Sequence, residues 1–146
     1  MSFIHLRVAS AYSFKYGTTQ PRDLVARASE LEMPALALTD RDGLAGAIRF
    51  TKAAVARGIA PIIGVNLAIR ISDTSGALPR VTVLAHGDGG WRSLVRLMTG
   101  LQMNSSDRTP VLTPELLEKF SSYTSQLHLL HGPESPVSQA LTAHRF

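Results

Sequence analysis

Between Pro34 and Phe50 the chain reads Pro-Ala-Leu-Ala-Leu-Thr-Asp-Arg-Asp-Gly-Leu-Ala-Gly-Ala-Ile-Arg-Phe, and this stretch constrains the fold more than any other. Ala35 to Leu38 is an unbroken run of small apolar residues, the pattern of a strand covered on both faces. Leu44, Ala47, Ile48, Thr51, Ala54 and Val55 then recur at helical spacing. Strand, polar turn and helix in that order belong to α/β folds, in which ligands sit at the carboxyl ends of strands. Asp40, Arg41 and Asp42 occupy the turn and Gly43 leads into the helix, so a site is expected there.

The rest of the chain alternates in the same way. Phe3 to Ala9 reads as a first strand and Ser10 to Gln20 as a polar, turn-rich connection. Pro21 suits a first helical position, and Leu24, Val25, Ala28 and Leu31 form the buried stripe of a helix that stops before Pro34. Ala60 to Ile71 reads as a third strand, Asp73 to Pro79 as a loop and Val81 to Ala85 as a fourth strand. Gly87-Asp88-Gly89-Gly90 then turns into a helix with Trp91, Leu94, Val95, Met98 and Leu101 on its apolar stripe. Residues 102–113 read as an exposed loop. Thr113-Pro114-Glu115 opens a short helix, Leu127 to Leu130 is a fifth strand, and Ser135-Pro136 opens a last helix. The expected fold class is α/β, with parallel strands alternating with helices. Five strands are too few for a closed (β/α) barrel, which takes about 200 residues or more, so the sheet is open or the chain is the front part of a longer one.

Composition narrows the function. The 146 residues suffice for one domain with a real core, and 45% hydrophobic residues is an ordinary globular share. No run approaches the ~18 apolar residues of a membrane span. Met1 to His5 lacks the basic start of a signal peptide, so no membrane role and a cytoplasmic location are expected. The absence of cysteine excludes disulfides, thiolate zinc sites and cysteine nucleophiles. A net charge of +4 and a pI near 10 invite a nucleic-acid reading. Against it, the arginines are spread along the chain with no interleaved aromatic residues, and an alanine- and arginine-rich mix also arises from base composition.

Single polar residues keep more than one reading. His5 fits a local hydrogen bond in the first strand. His86, at the end of the fourth, could face a cleft, while His128, His131 and His144 have no partner spacing. Asp40 and Asp42 could hold magnesium through waters, pair with Arg41 or cap the following helix. The turn from His86 to Gly90 could cradle a phosphate, but it lacks the full glycine motif and reads as a tight turn. Arg92 and Arg96 are a solvated face or a contact to another domain. No Ser-His-Asp order, G-x-S-x-G or H-E-x-x-H is present.

Three segments together carry a resemblance: His5-Leu6-Arg7-Val8-Ala9-Ser10-Ala11-Tyr12-Ser13, the stretch Leu36 to Gly46, and Gly58 to Gly64. They resemble the PHP (polymerase and histidinol phosphatase) domain, in particular that of bacterial DNA polymerase III alpha subunits and related error-prone polymerases. Residues 1–101 carry the better match and 114–146 the weaker. The resemblance implies part of a distorted (β/α) barrel of seven strands, truncated at its C-terminus. Metal-binding members carry His-x-His in the first strand, an Asp or His soon after, a His after Thr-Asp and a Glu after Ile-Ile-Gly. Here those positions hold Arg7, Ala9, Tyr16, Arg41 and Asn66. None is a good ligand, and two are permanent cations that would repel the metal ion which hydrolysis needs.

The resemblance therefore implies a catalytically silent module with no cofactor. It would pack on the rest of the polymerase chain and the proofreading exonuclease, and reach DNA through the parent enzyme. Two alternatives stand. One is a residual metal-dependent phosphoesterase or 3′–5′ exonuclease built on Asp40, Asp42 and His86. The other is a phosphate or nucleic-acid binding module in which Arg7 and Arg41 replace the metal charge. His5, Arg7, Asp40, Arg41, Asp42, Asn66 and His86 are the expected cleft residues.

Overall fold

Pro21 opens the first helix, α1 (Pro21–Glu30), where a missing backbone N–H costs nothing. Val25 and Ala28 are buried on its inner face, whereas Leu31, placed on the stripe by sequence, falls at the C-cap and is half exposed. The computed structural model describes residues 3–70, 77–105, 109–119, 126–133 and 135. They divide into two units, residues 1–65 and 66–146.

In the first unit, α1 is followed by β1 (Ala35–Arg41), by α2 (Ala47–Val55) and by the first part of β2 (Ala60–Ile69), which lies beside β1. The core consists of Val25 and Ala28 with Leu36, Leu38, Phe50 and Ile59. The inward face of α2 is Ala47, Phe50 and Ala54, whereas Ile48 and Val55 are 58% and 65% exposed. The sequence stripe was out of phase because Leu44 precedes the helix. The aromatic ring of Phe50 takes the central inward position instead.

Both helices end alike. Met33 N donates to Ala28 O, and Ile59 N donates to Ala54 O, each closing the long bond of a Schellman turn. The left-handed residue this turn requires is Glu32 (φ 52°) after α1 and Gly58 (φ 68°) after α2.

The expected first strand is not a regular one. His5 O accepts from Ala37 N and Val8 O accepts from Thr39 N, so three residues on one side span two on the other. Val8 N donates to the Thr39 hydroxyl at 2.9 Å instead of to a carbonyl. The segment runs alongside β1 with an extra residue, like a bulged edge. β1 itself runs on through Thr39, Asp40 and Arg41, three residues past the expected end of the strand.

In the second unit, the last residues of β2 pair in parallel with β4 (Val111–Leu112), Ala68 opposite Val111 and Ile69 opposite Leu112. β3 (Arg80–Ala85) lies on the other side of β2 and pairs antiparallel with β5 (Leu127–Leu130). From Ile69, beside Pro79, back to Asn66, beside Val81 and Thr82, the partner advances, so β2 and β3 are also antiparallel. The α/β class stands, but the sheet is mixed where parallel strands were expected. The physical reason is that residues 70–79 are too short for the helical crossover that a parallel neighbour needs.

The helix α3 (Gly87–Met103) buries Leu94, Leu97, Met98 and Leu101, while Trp91 is half-buried and Val95 is 37% exposed. Gly90 is needed for close approach, since a Cβ there would lie 2.6 Å from Gln126 O. α3 extends into the segment expected as an exposed loop, and β4 lies within it, with Leu112 only 1% exposed. α4 (Pro114–Lys119) starts at the expected Thr113-Pro114-Glu115 signal. The described strands number five, as expected, but β4 takes the place of Phe3–Ala9. The helix expected from Pro136 lies outside the described residues.

Candidate functional site

Asp40 is the centre of the polar cluster at the end of β1. It is 2% exposed, in a strand whose other residues up to that point are buried and apolar or small. An ionised carboxylate at such a position must be hydrogen-bonded. Its Oδ1 accepts from Ser10 N at 2.6 Å and from the Ser13 hydroxyl at 2.7 Å, and the Ser10 hydroxyl lies 3.0 and 2.9 Å from Oδ1 and Oδ2. Ser13 Oγ also accepts from Arg41 N at 2.9 Å, and Ser10 Oγ from Tyr12 N. The 10–17 segment is thereby folded onto the strand end, with further turns from Ser13 N to Ser10 O and from Tyr16 and Gly17 N to Ser13 O.

Two glycines allow this packing. A Cβ at Gly17 would collide with Ser10 O, and one at Gly46 would lie 2.8 Å from Asp40 Oδ2 and 3.1 Å from the Tyr12 ring. Asp42 follows in the left-handed region (φ 60°), which a short polar side chain tolerates. The guanidinium of Arg41 stacks over the Tyr16 ring, 4.0 Å from its centroid.

The cluster thus brings together Asp40, Arg41 and Tyr16, with Ser10 and Ser13 as its principal partners. The sequence reading gave Asp40 to metal, to Arg41 or to a helix cap. Its carboxylate instead holds two serines. By sequence these serines fall in a polar turn; the signal for their role is a carboxylate at a buried strand end facing a Ser-x-x-Ser segment. His5 and Arg7 are exposed on the N-terminal segment. The His5 ring stands edge-on to Phe3, with centroids 4.7 Å apart, rather than bonding along a strand.

Asn66 and His86 belong to the second unit. Asn66 is 3% exposed: its Nδ2 donates to Thr82 Oγ1 at 3.0 Å, and its Oδ1 accepts from Arg80 Nε at 2.6 Å. Arg80 also donates to Asn66 O at 2.7 Å. His86 is exposed and precedes α3. Its backbone N–H donates to Gln126 O, and its ring meets that of His128 edge to face at 5.9 Å. His128, for which the sequence offered no partner, has one in His86.

These residues do not fit a metal centre. At the positions that the sequence resemblance matches to ligands stand two guanidiniums, a methyl group, a phenol and an amide whose oxygen and nitrogen are both engaged, and Asp40 is occupied by serines. Among the described residues, no three His, Asp or Glu side chains are grouped to hold an ion. No described helix is long and apolar enough to cross a membrane.

The family model of the PHP domain matches residues 5–145, and the chain belongs to that family. An error-prone DNA polymerase of Corynebacterium efficiens is 41% identical over 120 residues, covering 80% of this chain and 10% of the relative. DNA polymerase III subunit alpha of Buchnera aphidicola is 34% identical over 140 residues, 95% of this chain and 12% of the relative. The chain thus spans about a tenth of the length of these relatives. Among solved structures, an amidohydrolase from Chromobacterium violaceum, with bound sulfate and no metal, superposes with a TM-score of 0.54 at 25% identity. That match covers 68% of this chain and 33% of the neighbour.

Proposed function

We propose that this chain is the PHP module of a bacterial replicative or error-prone DNA polymerase, and that the module is catalytically silent and serves to pack against or dock other parts of the replication machinery. The observation that carries the reading is the state of the ligand positions. Arg41 lies on Tyr16, and Asn66 has both side-chain polar atoms engaged by Arg80 and Thr82. Hydrolysis in this family draws on a cation that polarises phosphate and activates water, and these side chains offer that cation no negative charge and, at Arg41, a repelling positive one.

The test is elemental analysis of purified protein together with phosphodiester and DNA 3′-end hydrolysis assays. The reading expects no stoichiometric zinc, manganese or iron and no hydrolysis. One or more transition-metal ions per chain, with activity lost on chelation, would replace it with the phosphoesterase reading. A second reading, an oxyanion held by Arg7 and Arg41, draws support from the sulfate in the metal-free neighbour and from the suitability of guanidinium for oxyanions. Phosphate titration followed by NMR, with Arg41→Gln as the comparison, tests it.

A further inference from the structure

We infer that the basic groove between the start of α1 and the outer face of α2 binds the phosphodiester backbone of a nucleic acid. The groove, of about 590 Å3, lies wholly in the first unit and is lined by Gln20, Pro21, Arg22, Arg49 and Lys52. Arg49 and Lys52 stand one turn apart on the exposed side of α2, opposite Phe50 and Ala54, so both cations reach into solvent. Arg22 joins them from α1. Elsewhere on α1 the charge is compensated, as with Arg27, which bonds Glu30 at 2.8 Å. Arg22 touches Asp23 at 3.4 Å, but Arg49 and Lys52 have no acidic partner among the described residues. Among the described residues the lining contains no acid.

Three cations on one concave surface, with one carboxylate at its rim, attract a chain of regularly spaced negative charges. Two of the three are guanidiniums, which take phosphate oxygens in pairs, and the Gln20 amide adds a neutral donor. The Tyr12 ring lies 6.0 Å from the Arg49 guanidinium, placing an aromatic surface beside the cations. The choice of nucleic acid over an acidic protein rests on the polymerase reading above. The residues named as lining the groove include none of the ligand positions, so metal analysis and the binding measurement can fail separately.

The experiment is fluorescence anisotropy of the purified chain with labelled single- and double-stranded DNA across a salt series. The expected result is binding that weakens with salt. In the double variant Arg49→Gln/Lys52→Gln, affinity should fall at least about tenfold, and the slope of log K against log salt for the duplex should shrink by about 1.8. The variant Arg92→Gln/Arg96→Gln, which removes the same charge from exposed positions of α3, should bind like the parent. Circular dichroism checks that all variants are folded. Equal losses in the two variants would reduce the effect to net charge and overturn the inference. So would absence of binding at low salt, or competition by polyglutamate as effective as by unlabelled DNA at equal charge.

Discussion

Ser13 bridges the side chain of Asp40 and the backbone of Arg41: its hydroxyl donates to Asp40 Oδ1 at 2.7 Å and accepts from Arg41 N at 2.9 Å. One small side chain thus ties the buried carboxylate to the next peptide of β1. Hydrogen bonds to charged groups contribute about 1.5–3 kcal/mol. Ser13→Ala should therefore destabilise the fold by about that much in urea titrations. Combined with Asp40→Ala, the loss should be clearly less than additive, because both changes remove the same bond. Additive losses would show that the serine and the carboxylate act independently.

The phase of α2 gives a second prediction. Phe50 is fully buried and Val55 is 65% exposed. Phe50→Ala should cost about 3–5 kcal/mol, and Val55→Ala less than about 1. On α3 the same contrast separates Leu97→Ala, costly, from Val95→Ala, cheap, as measured by thermal melts.

The two helix ends make a third. Gly58 adopts its left-handed angle without steric cost, whereas Glu32 bears a Cβ penalty of about 1 kcal/mol in the equivalent place. Glu32→Gly should raise stability by up to that amount, and Gly58→Ala should lower it by a similar amount. A melting temperature lowered by Glu32→Gly would contradict the capping assignment.

A fourth concerns pH. The Thr113 side chain, and next the backbone N–H of Glu115 itself, hold the Glu115 carboxyl below its ordinary value of 4.5. A depressed folded-state pKa adds stability that is present above 4.5 and lost as pH falls through the depressed value. In an NMR titration, Thr113→Ala should move the Glu115 midpoint up towards the ordinary value. Glu115 is fully exposed, so the effect on global unfolding should be small.

Much of the fold was legible because hydrophobic period carries it. The starts of α1, β1, β2 and β5 follow from Pro21, from the Ala35–Leu38 run, from Ala60 and from Leu127. What escaped depends on contacts distant in sequence. Phe3–Ala9 alternates like a strand, but the Thr39 hydroxyl intercepts one of its amides. Val111-Leu112 is too short for any period to register, and only its pairing with Ala68 and Ile69 makes it a strand. At the candidate site, identities were readable and engagements were not. Nothing local says that Asp40 serves Ser10 and Ser13 across about thirty residues, or that Asn66 faces Arg80.

The Asn66–Arg80 contact bears on what a metal ligand introduced at this position would meet. A glutamate introduced at position 66 would find the Arg80 guanidinium already at hydrogen-bonding distance of both the side chain and the carbonyl of that residue. Its new charge would be neutralised in an internal ion pair, in a place where unpaired charge is costly. The single substitution would therefore yield an internal ion pair and no ligand. On the proposed reading a ligand there would need Arg80 to change as well, and each step alone would carry no catalytic reward, so such a loss would behave as a ratchet.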